Sequence, residues 1–173
     1  ENIKKNLSRC VCTLRPKSEG GRFVGKEDER KSILRLIAEY NPYFLDVEFN
    51  AIQKDKKFAA YLKKTKCELL ISWHDFKKTP SESKLKSRHA KMRNFSDVVK
   101  IVTVAKNVSD VSRLLSLYSV KSKNKTIAFC MGEQGKFSRI LCLHLGSPFT
   151  YVSLGKAIAP GQFSLDEIKS LQN

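Results

Sequence analysis

The sequence predicts a parallel α/β protein of the (β/α)8-barrel class, a single domain over residues 1–173 with about six of the eight βα units present. Three observations predict it. Short apolar, β-branched runs alternate with amphipathic runs along the whole chain, which calls for a parallel sheet covered by helices. The places where a nucleotide-binding sheet carries its phosphate loop do not fit that use: Glu19-Gly20-Gly21 lacks the GxGxxG spacing, and Gly132-Glu133-Gln134-Gly135 has no following Lys-Ser/Thr. Polar residues gather instead at or after the ends of many different strands, as in a barrel active site: Arg15 and Glu19, Asp46 and Glu48, His74 and Asp75, Met131 and Glu133, and Gln162, with Lys100 inside a strand.

The predicted strands are 9–14 (RCVCTL), 44–48 (FLDVE), 68–73 (ELLISW), 98–104 (VVKIVTV), 126–131 (TIAFCM) and 149–154 (FTYVSL). The predicted helices are 26–40, 51–65, 80–92, 109–120, 136–145 and 165–172. In the first, Ile33, Leu34, Ile37 and Ala38 form an apolar stripe at helical spacing. Thr79-Pro80-Ser81-Glu82 combines an N-cap Thr, Pro at the first helical position and a Glu placed for a capping box; Ser164-Leu165-Asp166-Glu167 repeats the box.

Composition narrows the function. A chain of 173 residues, 41% hydrophobic and 29% charged, is long enough for one core and too apolar for disorder. No apolar run approaches the roughly 18–20 residues that span a bilayer, and the start shows no secretory signal, so no membrane partner is expected. Lys plus Arg is 33 against 17 Asp plus Glu, a formal charge of +16. The basic residues fall in short groups (Lys4-Lys5, 54–66, 121–125) without a nucleic-acid motif, and aromatics are only 9%. A solvated lysine surface that steers an anionic small substrate is the reading preferred over nucleic-acid binding. Five Cys residues, an odd number, argue for buried free thiols in a reducing compartment rather than disulfides or a metal site.

Lys100 is the most informative residue. It stands between Val98, Val99, Ile101 and Val102, where an ammonium is poorly solvated and a neutral amine, the nucleophile that forms a Schiff base, is favoured. Alternatively it lies on a polar strand face or snorkels from the strand end. His74 at a strand end suits proton abstraction and return, or packing. His89 and His144 lie in helical segments and are read as surface or packing residues. Asp46 and Glu48 share one strand face, as paired acids or partners of basic groups. Arg15 and Arg139 are candidate carboxylate clamps or surface arginines.

The order RPKSEGG, LDVEF, SWHDFKKTP, VKIVTVA, FCMGEQGKFSRILC and APGQFS resembles the type I 3-dehydroquinate dehydratases of the shikimate pathway, from Arg9 to Gln162. The resemblance implies a (β/α)8 barrel that dehydrates 3-dehydroquinate to 3-dehydroshikimate without metal or organic cofactor. It implies that Lys100 is the Schiff-base lysine, His74 the general acid/base and Glu19 the carboxylate that positions and tunes this histidine. It makes Arg15 and Arg139 substrate-binding arginines, Arg139 for the substrate carboxylate. Met131 and Phe129 become pocket walls, Gln162 part of a closing loop, and Asp46 and Glu48 supporting acids. A cytoplasmic homodimer is also implied. Ile158 departs from the family, which has a small hydroxyl residue at that loop position. The family's first two βα units, with a substrate-binding Glu-x-Arg strand, are expected upstream of Glu1, and ENIKKNL reads as the tail of the preceding helix. The alternatives are another Schiff-base barrel of the class I aldolase kind, and a non-catalytic or partner-completed barrel.

Overall fold

Parallel strands buried on both faces read as continuous apolar runs, and β2 (Phe44–Glu48) is buried at all five positions. It lies in a five-stranded parallel sheet of order β1-β2-β3-β4-β5, completed by β1 (Val11–Thr13), β3 (Leu69–Asp75), β4 (Val98–Val104) and β5 (Lys125–Met131). In the register of the first three strands, Cys12 faces Leu45 and Leu45 faces Leu69. The computed structural model describes residues 4–120, 125–155 and 157–171. The basic group at 121–125 therefore lies outside the described residues except at Lys125, and of the helix expected over 165–172 only the last residue does.

Strand order equals chain order because each strand returns through helix. The helices are α1 (Glu27–Glu39), α2 (Phe49–Lys54), α3 (Lys56–Lys64), α4 (Glu82–Met92), α5 (Val108–Leu115), α6 (Ser138–His144) and α7 (Leu165–Ser170). The capping box at Ser164 forms as its spacing predicts: Ser164 Oγ accepts from the Glu167 N–H at 3.1 Å, and Glu167 Oε2 accepts from the Ser164 N–H at 2.7 Å. At α1 the backbone N–H of Lys26 donates to Glu29, and three acidic residues in the first turn complement the helix dipole.

Several expectations are corrected. The stretch 149–154 makes no strand; its Ser153 forms an isolated bridge with Ser164, since the Ser153 N–H donates to Phe163 O and its carbonyl accepts from the Leu165 N–H. Those bonds occupy the backbone groups a sheet neighbour would need. The single helix over 51–65 divides at Asp55, whose carboxylate accepts from the Phe58 N–H at 2.9 Å and from Lys31 Nζ at 2.8 Å. A side chain that caps its own backbone starts a helix rather than continuing one. Thr79 caps nothing: α4 begins at Glu82, and Thr79 is buried with Oγ1 2.7 Å from Thr103 Oγ1 and donating to Val104 O at 2.9 Å. The buried face of α1 is Arg30, Leu34 and Ala38, while Ile33 of the expected stripe is exposed. The segment Lys4–Arg9 is a 3-10 helix.

The chain divides into two compact units, residues 1–73 with 91–99, and residues 74–90 with 100–173. The first unit's core is built from Leu34, Leu45, Val47, Ile52, Phe58, Leu62, Leu70 and Ile71; the second's from Leu85, Ile101, Leu114, Ile127, Ala128 and Cys142. Among the described residues no helix is long and apolar enough to cross a membrane.

Candidate active site

In the first unit, β1 delivers Arg15 to the acids of β2. Residues two apart on a strand share a face, so Asp46 and Glu48 present both carboxylates together. Arg15 Nη2 donates to Asp46 Oδ2 at 2.6 Å and Nη1 to Glu48 Oε1 at 3.1 Å. Nη1 also reaches Ser72 Oγ at 2.8 Å, and Ser72 donates to Asp46 Oδ1 at 2.5 Å. The guanidinium expected to clamp a ligand carboxylate is thus held by the chain's own acids, and Asp46 and Glu48 serve as partners of basic groups.

Glu48 has a second cation. Arg30 of α1 donates from Nη1 to Glu48 Oε2 at 2.5 Å and to Leu14 O at 3.0 Å, and it also binds Glu27. Burial pushes the Glu48 carboxyl up, against the opposing pull of Arg15 and Arg30.

Glu19 is buried in the turn after β1, in a 3-10 segment closed by Gly20 at φ 77°. Asn50 Nδ2 donates to its Oε1 at 3.1 Å. Burial, then the neighbouring Glu48 charge, push its pKa up to about 7 from 4.5. Glu19, Asn50, Arg30 and Glu48 all line a cavity of about 310 Å³ in this unit.

In the second unit, Lys100 is buried on β4 at 7% exposure, with Nζ 4.2 Å from the centre of the Tyr151 ring. Tyr151 packs at 6.0 Å from Phe129 and at 5.7 Å from Phe149. Phe129 and Met131, expected as pocket walls, are buried side chains of β5. His74 stacks on Phe76 at 5.8 Å, and Asp75 caps the turn that follows by accepting from the N–H groups of Lys77 and Lys78.

Arg139 is fixed by the start of α6, where Ser138 Oγ accepts from Cys130 N at 2.7 Å and donates to Gly135 O at 2.5 Å. Arg139 is 2% exposed, and its guanidinium lies 4.5 Å over the Phe129 ring. It pairs with no carboxylate among the described residues, and burial lowers its pKa to about 10. A buried cation in that state is suited to an incoming anion.

Arg139 Nη2 also donates to Pro160 O at 3.4 Å, in the loop that carries Gln162. Gln162 Oε1 accepts from the N–H groups of Ile158 and Ala159 at 3.0 and 3.3 Å, so in this structure it closes its own loop. Gly161, at φ 69°, lets the loop approach Gly132: a Cβ there would lie 2.6 Å from Gly132 O. Ile158 is 82% exposed.

Sequence reasoning missed Ser72, Asn50 and Arg30. Only Arg30 left a signal, because it shares the face of Leu34 and Ala38 at four-residue spacing, and a charge on a buried stripe requires a partner. His89 is buried and bonded to Thr126 Oγ1 at 2.8 Å. Of the five free thiols, Cys67, Cys130 and Cys142 are buried as expected, and burial pushes Cys67 up to about 11. Cys10 and Cys12 are only half-buried. Among the described residues, no three His, Cys, Asp or Glu side chains are grouped to hold a metal ion.

Comparison with known proteins shows the family. The family model for type I 3-dehydroquinase matches residues 1–173. The 3-dehydroquinate dehydratase of Pyrobaculum aerophilum is 41% identical over 158 residues, 90% of this chain and 50% of that protein. The Methanocaldococcus jannaschii 3-dehydroquinate dehydratase is 36% identical, over 94% of this chain and 74% of its own. The crystal structure of the type I 3-dehydroquinate dehydratase from Clostridium difficile superposes with a TM-score of 0.82 at 27% identity, covering 92% of this chain and 65% of that one. The chain thus spans about half of the Pyrobaculum relative and about three quarters of the Methanocaldococcus one. It belongs to the type I 3-dehydroquinase family.

Proposed function

We propose that this chain carries the dehydration of 3-dehydroquinate to 3-dehydroshikimate and water, through an imine on Lys100. The observation that carries the reading is Lys100 itself: a lysine 7% exposed on a strand flanked by Val and Ile, in a chain whose family membership is shown.

In this reading the Lys100 amine adds to the ring ketone and water leaves, forming a protonated imine. The imine withdraws electrons from the adjacent carbon, and His74 takes the proton released there. The resulting enamine expels the β-hydroxyl group, which leaves as water on receiving the proton from His74. Hydrolysis of the imine returns the Lys100 amine and releases the product. The family resemblance assigns Glu19 the tuning of His74, and Arg139 binds the substrate carboxylate. Arg15, Asp46 and Glu48 form a supporting ion-pair group, while Phe129 and Met131 supply apolar walls. Gln162 lies in the loop proposed to close over the substrate. The proposed setting is a cytoplasmic homodimer.

The test is intact-mass measurement after incubation with 3-dehydroquinate and borohydride. A reduced adduct that maps to Lys100 and disappears in Lys100→Met supports the reading. An adduct that survives Lys100→Met sinks the assignment. An adduct only on a version extended by the family's first two βα units makes this chain an inactive fragment of the same enzyme. No adduct on either removes the dehydratase reading.

A further inference from the structure

The buried carboxyl of Glu19 is held in place by a group that no part of the proposed chemistry uses. Asn50, in the first turn of α2, donates from Nδ2 to Glu19 Oε1 at 3.1 Å, and both residues line the 310 Å³ cavity of the first unit. The other charged groups around Glu19 come from β2, the segment after β1, α1 and α2. Glu48 and Asp46 of β2 repel its negative charge, and Arg15 after β1 attracts it. Across the cavity stand Glu27, Arg30 and Lys31 of α1, with Lys54 of α2. Arg30 is bonded to Glu27 and Glu48, and Lys31 to Asp55. Arg30 and Lys31 are therefore bound to other carboxylates. A neutral amide donor aimed at one carboxylate oxygen favours the ionised form and fixes the carboxyl plane.

We propose that Asn50 is a positioning residue for the dehydratase reaction, orienting the Glu19 carboxyl through its Nδ2–Oε1 hydrogen bond. The inference rests on the role proposed above for Glu19. Asn50 is exposed and contributes nothing to the core, so replacing it removes the donor and leaves the packing of β2 and α2 in place.

The test is a ¹³C NMR titration of Glu19 in the full chain, run beside kcat and KM for 3-dehydroquinate as functions of pH. In Asn50→Leu the Glu19 midpoint rises by about 0.5–1 pH unit, as loss of a donor to the charged form requires. Then kcat near neutral pH falls about threefold to tenfold with KM within twofold, and the matching limb of the pH profile moves with the midpoint. Asn50→Gln, which keeps an amide, restores part of both effects, and Asn50→Asp, which adds a carboxylate, raises the midpoint further. A Glu19 midpoint unmoved in Asn50→Leu overturns the inference. So does a moved midpoint with unchanged kcat in a chain that forms the Lys100 adduct. Absence of the Lys100 adduct in the unmodified chain, with the midpoint shift intact, instead marks failure of the dehydratase reading.

Discussion

Arg30 Nη1 donates to Glu48 Oε2 at 2.5 Å, and both side chains are 1% exposed. The pair joins α1 to β2, and through the other Glu48 oxygen it continues to Arg15 and Asp46. A chain of alternating charges anchored this way is rigid because each member lacks water as an alternative partner.

Arg30→Met leaves part of the Glu48 charge buried without its partner and is expected to destabilise the fold by about 3–5 kcal/mol. Adding Glu48→Gln removes the charge that was stranded, so the double variant should lose at least about 1 kcal/mol less than the two single losses summed. Urea unfolding of the four proteins checks it. Strict additivity would show that the two residues do not act together.

Glu19 gives stability a pH dependence of definite sign. Its folded pKa of about 7 lies above the 4.5 of an ordinary glutamate, so the folded state binds the extra proton between those values. The associated stability is complete below pH 4.5 and is lost as pH rises through 7, by ~2–3 kcal/mol in all. Glu19→Gln should therefore gain on the unmodified chain as pH rises from 5 to 8, measured by urea unfolding at each pH. A constant difference across that range contradicts the prediction.

Arg139 predicts opposite effects on stability and on binding. Without a carboxylate partner among the described residues, its burial is unfavourable, and Arg139→Met should leave the ligand-free Tm unchanged or raised. The same substitution should weaken binding of 3-dehydroshikimate by about 100-fold, the size of a lost charge-assisted contact of ~3 kcal/mol. Calorimetric titration and thermal unfolding with and without ligand measure both. Equal affinity in the two proteins would remove Arg139 as the carboxylate site.

The sequence by itself determined the strand positions from 44 to 131, the parallel α/β class, the capping box at Ser164 and the placing of Lys100 inside a buried strand. Each is a local property: apolar runs, caps and spacings act between residues near one another in the chain. The tertiary structure decided the rest. That Arg15 is held by Asp46 and Glu48, that Arg30 is buried, and that Asn50 meets Glu19 depend on pairs 18 to 33 residues apart, whose meeting no local pattern encodes. The break at Asp55 and the missing strand at 149–154 have the same origin. Asp55 is drawn to Lys31, 24 residues away, and the backbone of Ser153 is taken by Phe163 and Leu165. Local propensity proposes an element, and the long-range partners its polar groups find decide whether it forms.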